Sequence, residues 1–197
     1  MIFKESILKK LIQEAYKTDG LHIARCMDDY ILSGAYWAIR IHKDIMTNKA
    51  KGNIVELIGS LPEEGESWKV DKDSMQIEME TVIDPEDYIK EVMTVYAVTN
   101  VMQDQSSKIA RVLRNMDTNE HVFLNNVFVE MITWENLNEE MAEAVPEGPY
   151  GVGKAVIWKN NYSTLVCYQR KGEDGDTLLD ILTAAAKKED TDEGNDM

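Results

Sequence analysis

GPYGVGKA, at residues 148–155, holds the Gly-x4-Gly-Lys core of a phosphate-binding loop. Such a loop works when a strand delivers it, a helix N-terminus follows it, and a Ser or Thr after the lysine reaches magnesium. Here Ala155 follows Lys154, the run AVIWKNNY that comes next is strand-like, and a helix is predicted over 134–145 where the strand should stand. The stretch is therefore expected to be a flexible Gly/Pro loop before a strand. The three histidines, His22, His42 and His121, show no HxH, HxxxH or HExxH spacing, so no metal site is implied. The acidic clusters at Asp28-Asp29, Glu63-Glu64-Glu66 and Asp84-Glu86-Asp87 lack the D-x-D-x-D-G form of a calcium loop. No GxSxG elbow or cysteine–histidine signature is present. No catalytic residue and no cofactor is assigned, and the chain is expected not to be an enzyme.

The chemistry left is that of surface charge. The chain has 36 acidic against 21 basic residues, a net charge of −15, which argues against a generally nucleic-acid-binding surface. The imbalance is uneven. Residues 1–60 hold nine Lys or Arg and seven Asp or Glu, and the remainder carries −17. An anion-binding face would thus belong to the first third, and its candidates are Lys9, Lys10 and Lys17. Lys9, Gln13 and Lys17 form one row of a predicted helix with Lys10 beside it, opposite the stripe of Ile7, Leu8, Leu11, Ile12, Ala15 and Tyr16.

That helix should end at Asp19-Gly20. Residues 21–42, LHIARCMDDYILSGAYWAIRIH, then read as two strands joined near Ser33-Gly34, with His22 and His42 as cross-strand surface neighbours. Asn53 and Glu56 resemble a capping box that opens a short helix stopped by Gly59 and Pro62. Residues 68–83 alternate as strand pairs around a turn at 71–74. Asp84-Pro85-Glu86-Asp87 has the form of a helix start, and that helix is expected to end near Met93. Strands are predicted over 109–113 and 121–129, an amphipathic helix at Trp134, Leu137 and Met141, and a hairpin over 154–170 turning at Asn160-Asn161. Cys26 and Cys167 lie in strand-like runs and are read as buried thiols. Most large aromatics should be core, with Tyr150 the interface candidate.

One pattern bears on family. The run Ile31-Leu32-Ser33-Gly34-Ala35-Tyr36-Trp37-Ala38-Ile39-Arg40-Ile41 resembles a unit of DNA sliding clamps and of the clamp-like proteins of phages and mobile elements. In that unit a strand ends in a Thr-Asp-Gly turn, followed by an aromatic or basic residue and an apolar strand. Ser33 stands where the aspartate would be, and the basic residue after the turn is absent. VFLNNVFVEMI, at 122–132, followed downstream by AVIWKNNYSTLVCYQ, is similar in order to the second half of such proteins. The resemblance implies repeated units of helices on antiparallel sheet, self-association into a ring, and helices that face an encircled duplex through lysines. In this chain Lys9, Lys10 and Lys17 would supply that contact.

The fold expected is α+β, mainly antiparallel β-sheet with amphipathic helices packed on one face and a clamp-like unit that could be duplicated. Residues 1–172 would form the globular region, with a possible division into two lobes near 62–85. Residues 173–197 would be an acidic tail with a short helix near 176–188 and a disordered end. The function expected is that of a non-enzymatic, clamp-like accessory protein of phage or mobile-element DNA metabolism, partnered by double-stranded DNA and an unidentified protein. The alternative is an acidic protein-interaction module or inhibitor that binds no DNA. With no long apolar run and a charged N-terminus, no membrane partner is expected and the location would be cytoplasmic.

Overall fold

The 3.6-residue spacing after Lys4 becomes helix α1 (Glu5–Lys17), whose Leu8, Leu11, Ile12 and Ala15 are buried. A computed structural model describes residues 1–78, 83–105, 108–135 and 137–170 of the chain. At the end of α1 the Gly20 N–H bonds the Ala15 carbonyl at 2.9 Å, with Gly20 at a φ of +90° that few other residues adopt. Strands β1 (Leu21–Cys26), β2 (Asp29–Gly34) and β3 (Trp37–His42) follow as an antiparallel meander. Helix α2 (Asn48–Ile58), strands β4 (Ser67–Val70) and β5 (Met75–Glu78), and a single 3₁₀ turn at Pro85–Tyr88 come next. The remainder comprises β6 (Thr94–Gln105), β7 (Lys108–Asn115), β8 (His121–Asn125), α3 (Asn126–Met131), β9 (Glu147–Val152), β10 (Ala155–Lys159) and β11 (Ser163–Tyr168).

The eleven strands of the described residues join one sheet in the order β5-β4-β1-β2-β3-β11-β10-β9-β6-β7-β8, every pairing antiparallel. The α+β fold expected from the sequence is the one observed. Its centre has a strand order that is symmetric about one junction. α1 leads into the meander β1-β2-β3, α3 leads into the meander β9-β10-β11, and the two meanders meet where β3 pairs with β11. Read from either end, the six strands give the same pattern about that junction. The helices meet as well, and Phe3, just before α1, bridges to Ile132, just after α3.

Strand registers explain why the helices take one face. Trp68, Ile23, Leu32, Ile39, Leu165 and Trp158 are successive Cα partners across β4, β1, β2, β3, β11 and β10, and all six are buried in the main core. Residues two apart share a face, so Leu21, Tyr30, Trp37, Ile41, Val156 and Cys167 extend this floor beneath the helices. The opposite face is covered by residues 84–93. Asp84 binds Arg40, Glu86 Oε1 accepts from the Thr164 hydroxyl at 2.9 Å, and the Tyr88 and Tyr168 hydroxyls bond each other. Tyr88 and Met93 pack there on Ala155, Ile157 and Val166.

Several local expectations change. Residues 21–42 form three strands, because the chain reverses at Met27-Asp28, where Met27 adopts a φ of +52°. The second reversal falls at Ala35-Tyr36, and Ser33 and Gly34 remain in β2. The extra turn separates His22, opposite Ser33 and Lys69, from His42, opposite Asp29. α2 starts five residues before Asn53 because the Thr47 hydroxyl caps it, accepting from the Ala50 N–H at 3.1 Å. The helix expected to reach Met93 stops at Tyr88, and Ile89 is already extended.

The strand expected over 121–129 ends at Asn125, whose side chain accepts from the Val127 N–H and starts α3. No helix forms at Trp134, Leu137 and Met141. Asn138 Oδ1 takes the Met141 N–H, and Ala142 has a left-handed φ of +50°. The hairpin turning at Asn160-Asn161 and the turn at 71–74 are as expected, the latter held by Asp71 Oδ1 accepting from the Asp73 and Ser74 N–H groups. The predicted tail helix near 176–188 lies outside the described residues.

The cysteines part company. Cys167 is fully buried, its thiol reaching the Val156 carbonyl at 3.5 Å, and burial pushes that thiol well above its ordinary range. Cys26, the last residue of β1, is exposed, contrary to expectation. A thiol reagent should therefore modify Cys26 in the native protein and reach Cys167 only after denaturation. Two fast-reacting thiols in the folded chain would contradict this packing.

Candidate nucleic-acid interface

α1 is the middle of the helix layer, touching α2 on one side and α3 on the other. Its inner stripe is fixed by burial, so the outer residues are set by helical geometry alone. Lys10 and Lys17 are seven residues apart, which puts them on one side of the helix about 10 Å apart along its axis. Both are exposed, and neither has an ion-pair partner among the described residues. Lys9 is turned toward α2, where its Nζ lies 3.4 Å from Glu56 Oε2. The three lysines named from the sequence thus share one helix, but one of them is tied to a carboxylate.

Other cations join this layer because α2 begins earlier than its sequence suggested. Lys49, in the first turn of α2, lies 3.0 Å from Glu5 Oε2. The Glu5 carboxyl is held below its ordinary value by the Thr47 hydroxyl and by Lys49. Lys51 Nζ donates to the Lys43 carbonyl at 2.7 Å, and Lys108 of β7 reaches Glu14 of α1 at 2.8 Å. Thr47, as an N-cap followed by Asn48 and Lys49, was the available signal. The layer carries mixed charge, and Lys10 and Lys17 share with Lys4 and Lys51 the lack of a carboxylate partner among the described residues.

On the opposite face, Lys90 is exposed and donates to the Asp87 carbonyl at 2.8 Å. Arg40 sits there as well, and its guanidinium binds Asp29 at 2.6 Å and Asp84 at 2.9 Å. Burial disfavours its charge, and the two carboxylates outweigh burial, so Arg40 is held above its ordinary value. It pins residues 84–93 to the sheet and is committed to that task.

The stretch at 148–155, expected to be a flexible loop before a strand, is itself largely strand. Its first half is β9, paired with β10 and β6, and Gly153-Lys154 is the turn into β10. Gly148 holds a φ of +108°, and a Cβ there would come 2.6 Å from the Ile157 carbonyl oxygen, which accounts for the glycine without a ligand. Tyr150 is half-buried under this strand. The exposed aromatics are Tyr36 and Trp134. Among the described residues, no helix is long and apolar enough to cross a membrane.

No protein-family model and no curated protein sequence matches the chain. Among solved structures, it is similar to a "Putative DNA polymerase III beta subunit" from Eubacterium rectale, with a TM-score of 0.35 and 12% identity. It is similar to the same degree, TM-score 0.35 and 12% identity, to the beta subunit from DNA polymerase of Streptococcus pyogenes. Each match covers 90% of this chain, which spans 66% of the length of either protein.

Proposed function

We propose that this chain is a non-enzymatic, clamp-like accessory protein of DNA metabolism, of phage or mobile-element type, that touches duplex DNA through the outer side of α1. The observation that carries the reading is the placement of Lys10 and Lys17. They lie outward and without ion-pair partners among the described residues, on α1, the helix that touches both α2 and α3. A surface of this kind attracts phosphates without reading bases, because each ammonium acts as a point charge and reaches no base edge in a fixed geometry. The acidity of the rest of the chain limits non-specific sticking elsewhere and weakens binding as a whole. Contact with DNA would then need the protein held around or beside the duplex, by self-association or by a protein partner. A cytoplasmic location fits such a role.

Salt titration of binding to a short duplex tests this. Removing one phosphate-binding cation should lower the slope of log K against log salt by about 0.9. Lys10→Ala and Lys17→Ala should each reduce the slope and the affinity. Lys9→Ala should do less, since Lys9 already faces Glu56, and the triple variant should lose most of the binding. If the wild-type protein shows no DNA association at low salt, either free or loaded by a partner, the DNA part of the proposal fails.

A second reading has its own support in the −17 charge carried by residues 61–197. On it, the chain is an acidic interaction module that presents carboxylates to a nucleic-acid-binding protein. Capture of a basic partner that is unaffected by the triple lysine change would favour this reading over the first.

A further inference from the structure

We infer that the groove between α1, α3 and the β2–β3 turn is the docking site of the chain's own C-terminal segment, residues 177–188. The groove has a volume of about 780 Å³. Leu11 and Ala15 of α1 and Phe128 of α3 form an apolar floor, and Tyr36, 69% exposed, stands at its edge. The rim is of mixed charge, with Lys108 paired to Glu14 at 2.8 Å, Asp19 nearby, and Arg170 Nη1 at 3.4 Å from the Lys108 carbonyl.

Two observations choose the occupant. The first is position, since the described chain ends at Arg170, inside the groove wall itself. The residues that follow therefore start at the site. The six residues 171–176 can reach up to about 20 Å, enough to lead a further segment back across it. The second is the sequence beyond. In TLLDILTAAAKK, at 177–188, Leu178, Ile181, Leu182 and Ala185 recur at the spacing of one helical face, with Leu179 beside them. Asp176 and Asp180 bring carboxylates that match Arg170, which has no ion-pair partner among the described residues.

A helix of twelve residues is marginal alone in water and needs a surface for its apolar stripe. Tethering makes a weak contact sufficient, because a short linker holds the segment at an effective concentration in the millimolar range. The docking does not depend on whether α1 binds DNA, so it stands or falls separately from the function proposed above.

Amide hydrogen exchange on the full-length chain tests it. In the wild type, amides of 178–186 should exchange at least about tenfold more slowly than an unstructured segment. That protection should vanish in Leu178→Asp/Leu182→Asp and equally in Ala35→Asp/Tyr36→Asp. The second variant alters only exposed turn residues and leaves the core untouched. Three results would overturn the inference. They are exchange of the wild-type segment at its unstructured rate, protection that survives the Ala35→Asp/Tyr36→Asp change, and protection that disappears on dilution. The last would assign the groove to a second copy of the chain.

Discussion

Replacing Glu143 by alanine is expected to remove about 3–5 kcal/mol of folding stability, the range for breaking a buried charge pair by deleting one partner. The Glu143 carboxylate has no solvent exposure and pairs with the equally buried Met1 amine. It also accepts from the Asn138 N–H at 2.9 Å and from Asn160 Nδ2 at 3.2 Å. Removing it takes a counter-ion from a buried ammonium and an acceptor from two further donors at once. The irregular segment over 137–144 would lose one tie to the β10–β11 turn and keep those by which Asn160 and Asn161 hold the Ala144 and Ala142 carbonyls. Chemical denaturation should show a lower midpoint with an unchanged slope. Glu143→Gln keeps the shape and an acceptor while losing the charge, and should cost less than alanine. A Glu143→Ala protein within about 0.5 kcal/mol of wild type, the range of ordinary surface changes, would show that the pair does not support the fold.

Phe3→Ala should cost a comparable amount, about 3–5 kcal/mol, for a different reason. Phe3 is among the largest fully buried side chains of the protein. Its backbone bridges Ile132, while the Lys4 N–H bonds the Met131 carbonyl and the Thr133 N–H bonds the Ile2 carbonyl, both at 2.8 Å. This is where the start of the first helix-and-meander unit is laced to the helix of the second. Deleting the ring leaves a cavity at that junction, and close packing gives the neighbours little room to collapse into it. Val92→Ala, at an 89% exposed position, serves as the control and should stay within about 0.5 kcal/mol of wild type. Equal losses for the two variants would mean that the junction is not where stability is concentrated.

Elements whose signals are local were readable in advance. The α1 stripe repeats every three or four residues and ends in a glycine that caps it, so its bounds follow from spacing and one terminator. The turns at Asp71 and at Asn160-Asn161 were also readable, because their polar side chains bond backbone within a few residues. The failures have equally local causes. Met27-Asp28 makes a tight reversal without the Asn-Gly wording such turns favour, so two strands looked like one. Tyr88, Ile89, Val92 and Met93 have helical spacing, yet the Asp84 and Glu86 side chains are held by Arg40 and Thr164 of the sheet. That anchoring lays the segment on the sheet as an extended cover. At 125–126 the same run of apolar residues serves first strand and then helix, and only the Asn125 cap marks the change.

For the candidate interface, the sequence by itself determined that Lys9, Lys10 and Lys17 lie on the polar side of an amphipathic helix, since periodicity alone sets which residues cannot face the core. It could not determine which of them has its charge unengaged. That depended on Glu56, 47 positions away from Lys9, being carried alongside by the packing of α2 on α1. The pairing of β3 with β11 has the same character. Each strand's period shows which side must be buried, but not which strand completes it. The choice between partners far apart in the chain is made where two apolar meanders can share one floor under one layer of helices, and that is a property of the assembled core.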